Sequence, residues 1–261
     1  MFEARFGLTA SWPAMLAEQV RVDTLKVLRL PGLLVALILL PLVLFTFLGL
    51  SHLGDRLGGI SAGPYLLASF GAFSTSSSML LTFGLGLSQE RAAKLDVLMR
   101  ASPMPAVVFL GAKVITALAV ALMSLLILMA YVILVGGVHL EVVSLAFLVA
   151  VLLLGALPFL AMGFALAYLA EPATANAVLN LAYVVLGFGS GLLIPLAALP
   201  AAVQAVAPFL PTYRYASLAW SAVGSPSPSS VVDVIWLLAY AAVFFTIAVW
   251  AYQREEQRKF A

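Results

Sequence analysis

The sequence predicts an all-α membrane protein with six transmembrane helices, and two observations support that fold class. Hydrophobic residues make up 64% of the chain and charged residues 9%, whereas about a quarter of the residues of a soluble domain are charged. Six apolar stretches are each long enough to cross a hydrocarbon core of about 30 Å, which takes about 20 helical residues. We place these spans at 32–51, 63–88, 105–136, 142–169, 174–197 and 231–252.

The segment 11–29 precedes the first span and has the pattern of an amphipathic helix. Apolar and small residues recur on one face at helical spacing, while charged residues occupy the rest of the wheel. The first group is Leu16, Val20, Thr24 and Val27, and the second is Glu18, Arg21, Lys26 and Arg29. The pattern predicts an interfacial helix along the cytoplasmic surface, with an ordinary soluble N-terminal helix as the alternative.

The positions of the basic residues predict the orientation. Eleven of the 13 Lys and Arg residues fall on the side of the N-terminus, and only Arg56 and Arg214 fall on the other side. Because cytoplasmic loops carry an excess of Lys and Arg, both termini and the loop 89–103 are expected in the cytoplasm. An even number of spans agrees with both termini lying on one side.

Residues 198–230 form an interrupted apolar segment that is too broken to be a simple loop. Pro200, Pro208 and Pro211 divide it into two pieces that are each too short to span a bilayer. Aromatic residues of the kind that prefer the headgroup level accompany these pieces, namely Tyr213, Tyr215 and Trp220. We therefore expect an extracellular re-entrant helical hairpin, with a surface loop that covers a dimer as the alternative.

The sequence predicts one membrane domain over residues 1–261 and no catalytic module. It contains no phosphate-binding GxxxxGK[ST] loop, no HExxH and no GxSxG motif, and no cysteine. His139 and Glu141 are more typical of a solvated turn than of a metal site. The formal charge of +2 does not indicate nucleic acid as a partner. We expect no catalytic residue, no metal site and no cofactor in this chain.

The predicted spans lack acidic residues, Arg and His in their middle thirds. Lys113 lies about a third of the way along a long third span, where its stem is expected to reach back to the cytoplasmic interface. Carriers coupled to protons or sodium commonly place ionisable groups near the midplane. A transporter built from this chain is therefore expected to draw its energy from another chain. Pro158 and the glycines at 187, 189 and 191 are candidate bends or packing points.

Two polar strips interrupt the spans. The second span carries hydroxyl residues from Ser74 to Ser78, and the fifth carries Asn176 and Asn180 one helical turn apart. One interpretation is helix packing, because small hydroxyl residues and amides join helices in bilayers. The other is a substrate route, whose candidate residues are Phe73, Ser74, Thr75, Ser78, Phe83, Asn176, Asn180 and Phe188.

The segment 89–103 is the only densely charged stretch between two long apolar runs, and it reads as a short amphipathic helix. Its motifs are Glu90-Arg91, Leu95-Asp96-x-Leu98 and Arg100-x-Ser102-Pro103, and Gly111-x-Lys113 follows. This order resembles the cytoplasmic loop of type-2 ABC export permeases, although Ala93-Lys94 stands where that family usually has Gly-Thr. The proline pattern Gly191-x3-Pro195, Leu199-Pro200 and Pro208-x2-Pro211-x-Tyr213 is similar to the family's extracellular hairpin.

The resemblance implies a permease subunit that dimerises and pairs with two copies of a separate ATPase, which would hold ATP and Mg. In such permeases the loop corresponding to 89–103 is a coupling helix seated in a cleft of the ATPase, aided by the interfacial helix. The implied coupling residues are Glu90, Arg91, Leu95, Asp96, Leu98, Arg100 and Pro103. The second and fifth spans line the dimer interface in the family, which favours the polar strips as a route.

The leading interpretation is thus the membrane subunit of an ATP-driven exporter in a bacterial or archaeal plasma membrane, in contact with membrane lipid. A charge-poor interior suits drug-like or lipid-like cargo better than a bare cation. A self-contained secondary carrier or channel is the alternative. A membrane-embedded enzyme is a weaker one, because the chain offers no clustered His, Asp or nucleophile.

Overall fold

The computed structural model describes residues 11–93, 105–226 and 229–260, and most of that length is helical. The helices are α1 (Trp12–Leu28), α2 (Pro31–Leu44), α3 (Ala62–Ala92), α4 (Ala106–Gly136), α5 (Val142–Gly155), α6 (Leu157–Leu169), α7 (Ala175–Gly189), α8 (Ala201–Val206), α9 (Pro211–Ala222) and α10 (Ser230–Phe260). A π-helical turn (Phe45–Gly49) and a 3-10 turn (Leu50–His52) extend α2. The coarse prediction of an all-α membrane protein is confirmed.

The centre of the bundle is α3, which packs against α2, α4, α5, α6, α7 and α9. Its apolar window is buried on every side. Small residues allow this enclosure, because neighbouring helices approach closest where side chains are short. At Gly163 in α6, a Cβ atom would lie 2.6 Å from the carbonyl oxygen of Leu80 in α3. The seam between α3 and α6 is therefore in backbone contact.

Five helical segments in the described part of the chain are long and apolar enough to cross a membrane. They are Pro31–His52, Ala62–Ala92, Val107–Gly136, Val142–Leu169 and Ser230–Arg254. They agree with five of the six predicted spans, although the second span continues to Ala92 and so includes the start of the predicted loop helix. The rest of that loop, at 94–104, lies outside the described residues.

The predicted fifth span, 174–197, is wrong in its length. The helix α7 ends at Gly189, and at about 1.5 Å per residue its 15 residues reach about 22 Å, short of a hydrocarbon core. Gly191 follows with a φ of +81°, a left-handed conformation that glycine adopts without strain. The chain then passes Pro195 into a 3-10 turn at Leu196–Ala198. Glycine and proline therefore end the helix inside an apolar run that hydropathy reads as continuous.

The fourth span is broken at its centre, as Pro158 predicts. The helix α5 ends at Gly155, and Pro158 takes the second position of α6, where its missing N–H costs least. Tyr215 of α9 packs at this break. Its hydroxyl donates a 2.6 Å hydrogen bond to the carbonyl oxygen of Leu152, and its Oη lies 2.7 Å from Thr75 Oγ1 of α3. These bonds fix the break against the central helix.

The segment 198–230 contains the two predicted helical pieces, α8 and α9, separated at Pro208 and Pro211. The longer piece, α9, packs against α3, α5 and α10, and Tyr215 is fully buried there. Its side of the membrane remains a prediction. Arg214 of α9 lies 3.2 Å from the carboxylate of Asp233 at the start of α10, which joins these two helices.

A two-stranded hairpin precedes α3, and the sequence analysis missed it. Arg56–Leu57 pairs antiparallel with Ile60–Ser61. The turn between them is Gly58-Gly59, with φ angles of +56° and +80°, and two positive φ values are the requirement of a tight hairpin turn. Ser225, three residues after the end of α9, donates a 2.6 Å hydrogen bond to the carbonyl oxygen of Gly58. The hairpin thus connects the entrance of α3 to α9.

The helix α1 covers the start of α4 and turns its predicted apolar face inward. Val27 is buried, and Leu16, Val20 and Thr24 are half-buried on the same face. Asp23 lies in the middle of this face and is also buried, a position that the apolar pattern did not indicate. The location of α1 at a membrane surface stays a prediction.

Replacement of Gly163 by alanine is expected to destabilise the protein, because the new methyl group meets the backbone of α3. The expected loss is about 1–3 kcal/mol, the usual cost of overpacking. Gly86→Ala in α3 is the matched control, since its Cβ meets nothing within 4 Å and alanine favours a helix by about 1 kcal/mol. Thermal unfolding in detergent measures both variants. A melting temperature of the Gly163 variant at or above that of the wild type would contradict the contact.

Candidate functional site

The two predicted coupling residues that the structure describes, Glu90 and Arg91, lie in the last turn of α3. Both side chains are buried, with 6% and 9% of their surface exposed. They belong to the segment 89–103, which the sequence predicts as a charged cytoplasmic loop. Their partners are instead in the same chain, so these two residues hold the base of the loop. Leu95, Asp96, Leu98, Arg100 and Pro103 lie outside the described residues.

Glu90 is the centre of a group of four charged side chains, Asp23, Lys26, Glu90 and Lys113, which we call the Glu90 cluster. The ammonium of Lys113 in α4 lies 2.8 Å and 2.9 Å from the two carboxylate oxygens of Glu90. The ammonium of Lys26 in α1 lies 3.1 Å from Glu90 Oε1 and 3.4 Å from Asp23 Oδ1. The cluster therefore ties α1, α3 and α4 together.

Lys113 is enclosed by protein groups, and its reach to the cytoplasmic interface stays a prediction. Only 8% of its side chain is exposed, and its ammonium also lies 4.7 Å from the centre of the Phe109 ring. A buried ammonium is tolerated when it is paired, and Glu90 provides the pair. Asp23 adds a second carboxylate 3.9 Å away.

Lys26 is the half-exposed member of the cluster. Burial lowers its pKa, but the carboxylates of Glu90 and then Asp23 outweigh that effect and hold the pKa above its ordinary value. Lys26 is thus charged throughout the physiological range. The cluster then has two carboxylates facing two ammonium groups, a neutral set, and this balance permits its burial.

Arg91 joins α3 to the end of α6. Its guanidinium donates hydrogen bonds to the carbonyl oxygens of Ala167 and Ala170, the second at 3.2 Å, and lies 4.8 Å from the centre of the Tyr168 ring. The last carbonyl groups of a helix have no partner within it, and a cation there is favourable. Arg91 therefore caps α6, and the last turn of α3 contacts three neighbouring helices through charged groups.

A cavity of about 390 Å³ lies beside the cluster, between α1, α2, α3 and α4. One end is charged and includes the Glu90 cluster and Arg29, while Leu30, Leu33 and Phe83 line an apolar part. The volume is within the range of small-molecule sites. No group of His, Cys, Asp and Glu in the described residues forms a candidate metal site.

The hydroxyl strip of α3 is enclosed within the protomer. Ser74 Oγ lies 2.9 Å from Ser124 Oγ of α4, and Thr75 bonds to the carbonyl oxygen of Gly71 and to Tyr215. Ser78 is also fully buried, and its hydroxyl has no hydrogen-bond partner. The nearby cavity lined by Phe73, Ser76 and Ser77 has a volume of only about 10 Å³, room for about one water. These contacts fit the packing interpretation, and a role in transport stays a prediction.

The residues predicted on the fifth span face outward. Asn176, Asn180 and Phe188 are exposed on α7, and Asn180 Nδ2 donates a 3.0 Å hydrogen bond to Asn176 Oδ1. The opposite face of α7 packs on α3, where the ring of Tyr183 stacks on that of Phe73 at 4.7 Å. Phe83 packs edge-on against Phe164, with 5.6 Å between ring centres. The two predicted polar strips are therefore not on one surface.

Glu90→Ala is expected to lower the free energy of unfolding by about 3–5 kcal/mol, because it leaves the Lys113 ammonium buried without its closest partner. Glu18→Ala, which removes an exposed pair with Arg21, is the control and is expected to change stability by less than about 1 kcal/mol. Chemical or thermal unfolding in detergent measures both. The double change of Glu90 and Lys113 to Met should recover part of the loss. Equal stabilities for the Glu90 and Glu18 variants would show that the cluster does not hold the helices.

Comparison with known proteins identifies the family of this chain. The profile of the family described as "ABC-2 family transporter protein" matches residues 58–250, from the β hairpin into α10. A curated protein described as "Putative transport permease YvfS", from Bacillus subtilis (strain 168), is 27% identical over 192 residues, which cover 74% of this chain and 78% of that protein. The matched region contains the helix α3, two members of the Glu90 cluster (Glu90 and Lys113) and the broken fourth span. The chain therefore belongs to the ABC-2 family of transporter proteins, as a membrane permease of an ABC transporter.

Proposed function

We propose that two copies of this chain form the substrate route of an ATP-driven exporter, which two copies of a separate ATPase subunit drive. The observation that supports this most directly is the Glu90 cluster. It joins α1, α3 and α4 at the point where the chain enters residues 94–104, the segment that resembles a coupling loop. A displacement of that loop would move α1, α3 and α4 together. Family membership implies an ATPase partner in general, and the chain has no phosphate-binding loop of its own.

The proposal divides the predicted coupling residues into two groups. Glu90 and Arg91 hold the loop to the bundle through pairs within the chain. Leu95, Asp96, Leu98, Arg100 and Pro103 contact the ATPase, with the two leucines supplying a small apolar face. The helix α1 lies next to the loop's base through Lys26, which fits an assisting role. Both termini lie in the cytoplasm in this arrangement.

The outward face of α7 is the proposed contact between the two permeases. Leu181, Val185 and Phe188 expose apolar surface there, beside Asn176 and Asn180. Apolar side chains alone would be stable against lipid, but exposing two amide groups to hydrocarbon costs free energy. Contact with the same helix of a second copy would remove the amides from the hydrocarbon and so relieve that cost. The substrate route then runs along this face, with Phe73, Ser74, Thr75, Ser78 and Phe83 behind it as supporting contacts.

The proposed cargo is a drug-like or lipid-like molecule. The exposed face of α7 is apolar apart from its two amides and carries no charge, so a bare ion would find no compensating group there. A self-contained carrier is less well supported. The ionisable cluster lies in the last turn of α3, whereas coupled carriers place such groups near the midplane.

Leu98→Asp is expected to reduce transport and stimulated ATPase activity by at least about tenfold, because an aspartate in an apolar contact costs more than about 1.4 kcal/mol. Leu98→Met keeps the apolar contact and is the control. The assay is co-purification and ATP hydrolysis with a P-loop ATPase encoded by a neighbouring gene, alongside thermal unfolding of the permease. Wild-type coupling by the Asp variant would refute a role for this residue in ATPase contact.

The dimer is testable by cross-linking, because the natural chain has no cysteine. Single cysteines at Leu181, Val185 and Phe188 are expected to form a dimer on oxidation in membranes. Ile235→Cys and Leu238→Cys on α10 are equally exposed controls and should remain monomeric. Dimers from the α10 positions, with none from α7, would move the interface to another face.

A further inference from the structure

The cavity beside the Glu90 cluster is lined by charged, hydroxyl-bearing and apolar residues, a combination that the transport proposal does not use. At one end lie Lys26, Arg29 and Lys113 with the two carboxylates, which leaves a net charge of +1 among the charged residues that line it. Arg29 is exposed and has no ion pair within the described residues. This end therefore offers one uncompensated cation at its rim.

Two threonines line the same cavity deeper in the bundle. Thr116 follows Lys113 by three residues in α4, and Thr82 precedes Glu90 by eight residues in α3. At about 1.5 Å per residue these separations place them about 4.5 Å and 12 Å along their helices from the charged end. The lining therefore includes two hydroxyl-bearing residues farther along the helices than Lys113 and Glu90.

The hydroxyl groups of Thr82 and Thr116 are buried and have no hydrogen-bond partner. Three other hydroxyl residues of α3, Thr75, Ser77 and Ser88, donate to the carbonyl oxygen four residues earlier, whereas Ser78 is, like Thr82, without a partner. A buried hydroxyl without a partner costs about 1–3 kcal/mol. Both residues line a space large enough for a ligand, and a hydrogen-bond acceptor that reached either hydroxyl would remove that cost.

The remaining lining is apolar. Leu33 of α2 and Phe83 of α3 contribute to it, and Phe83 adjoins Thr82. A ligand in this cavity would thus meet cations, hydroxyl groups and an apolar wall. A diacyl phospholipid carries a group for each of these three: a phosphate, two ester carbonyls that accept hydrogen bonds, and acyl chains.

We propose that this cavity binds an ester-linked phospholipid with an anionic headgroup, of the phosphatidylglycerol type. Its phosphate lies at Arg29 and Lys26 and neutralises the excess positive charge. Its ester carbonyls accept hydrogen bonds from Thr116 and Thr82, and the start of an acyl chain lies against Leu33 and Phe83. At about 390 Å³ the cavity holds the headgroup and ester region, and the rest of the chains remains in the bilayer. The site does not depend on the proposed transport cycle.

The test compares ester-linked and ether-linked phosphatidylglycerol of equal chain length, added to the delipidated full chain in detergent. Ether lipids keep the phosphate and chains but lack the carbonyl acceptors. Native mass spectrometry and the shift in melting temperature give the affinities. Each lost hydrogen bond corresponds to roughly a fivefold weaker affinity, so the ether lipid should bind about 5–30 times more weakly. Equal binding of the two lipids to the wild type would overturn the proposal.

Variants assign the contacts. In Thr82→Val with Thr116→Val, the ester and ether lipids should bind equally, whereas Thr246→Val on the exposed face of α10 should keep the difference. Single variants serve if the double variant does not fold.

Arg29→Gln should lower the preference for phosphatidylglycerol over phosphatidylcholine about fivefold, and Arg21→Gln, outside the cavity, should not. A preference that survives Arg29→Gln would refute the phosphate position. Glycerol 3-phosphate separates a lipid site from a soluble phosphate site: a stabilisation equal to that by the lipid would overturn the lipid assignment.

Discussion

The enclosure of α3 is the constraint on which the rest of the structure depends. Most side chains of a helix surrounded by six others are shielded from water, so its polar side chains find their partners largely inside the protein. The run of hydroxyl residues meets this need mainly through its own backbone, as Ser76 and Ser77 do. Thr75 also donates to its own helix, at Gly71, and its Oγ1 lies 2.7 Å from the Tyr215 hydroxyl, which bonds to Leu152 at the break in the fourth span. The polar residues of α3 thus position neighbouring helices as well as forming the hydrogen bonds that their own hydroxyl groups need.

The charged side chains at the end of α3 also find partners inside the protein, and the free energy of leaving them unpaired is larger than for a hydroxyl group. Glu90 and Arg91 are adjacent in sequence but bond in different directions, one to lysines of α1 and α4 and the other to the carbonyl groups that end α6. A buried ion pair adds little net stability compared with apolar packing, but breaking it is costly. The physical effect of these pairs is therefore to specify one arrangement of the four helices. That arrangement fixes the last turn of α3, from which the chain continues into residues 94–104.

The sequence could predict the spans because hydropathy depends on local composition. Five spans agree with it to within a few residues except where α3 and α10 continue beyond them. Hydropathy could not show that α7 ends at Gly189, because the residues up to Pro195 stay apolar while the backbone turns. Nor could it identify Asp23, which stands alone on the inward face of α1. The charges of Glu90 and Lys113 were visible, but their pairing depends on the packing of α3 against α4. The sequence did contain one indication of this ion pair. Glu90 and Lys113 carry opposite charges, and each lies within a turn or two of a helix end, on either side of one loop.

In the proposed dimer, the cluster also limits which motions can accompany transport. Separating Lys113 from Glu90 would leave buried charges without partners and cost several kcal/mol. An internal rearrangement of α1, α3 and α4 at this end is therefore unfavourable, and these helices should move as one body, with α6 attached through Arg91. Rigid-body rotation about a contact between subunits needs no such separation. The apolar outer face of α7 has no ion pair to break among its described residues, so it is the surface on which two such bodies would move with the least loss of interactions.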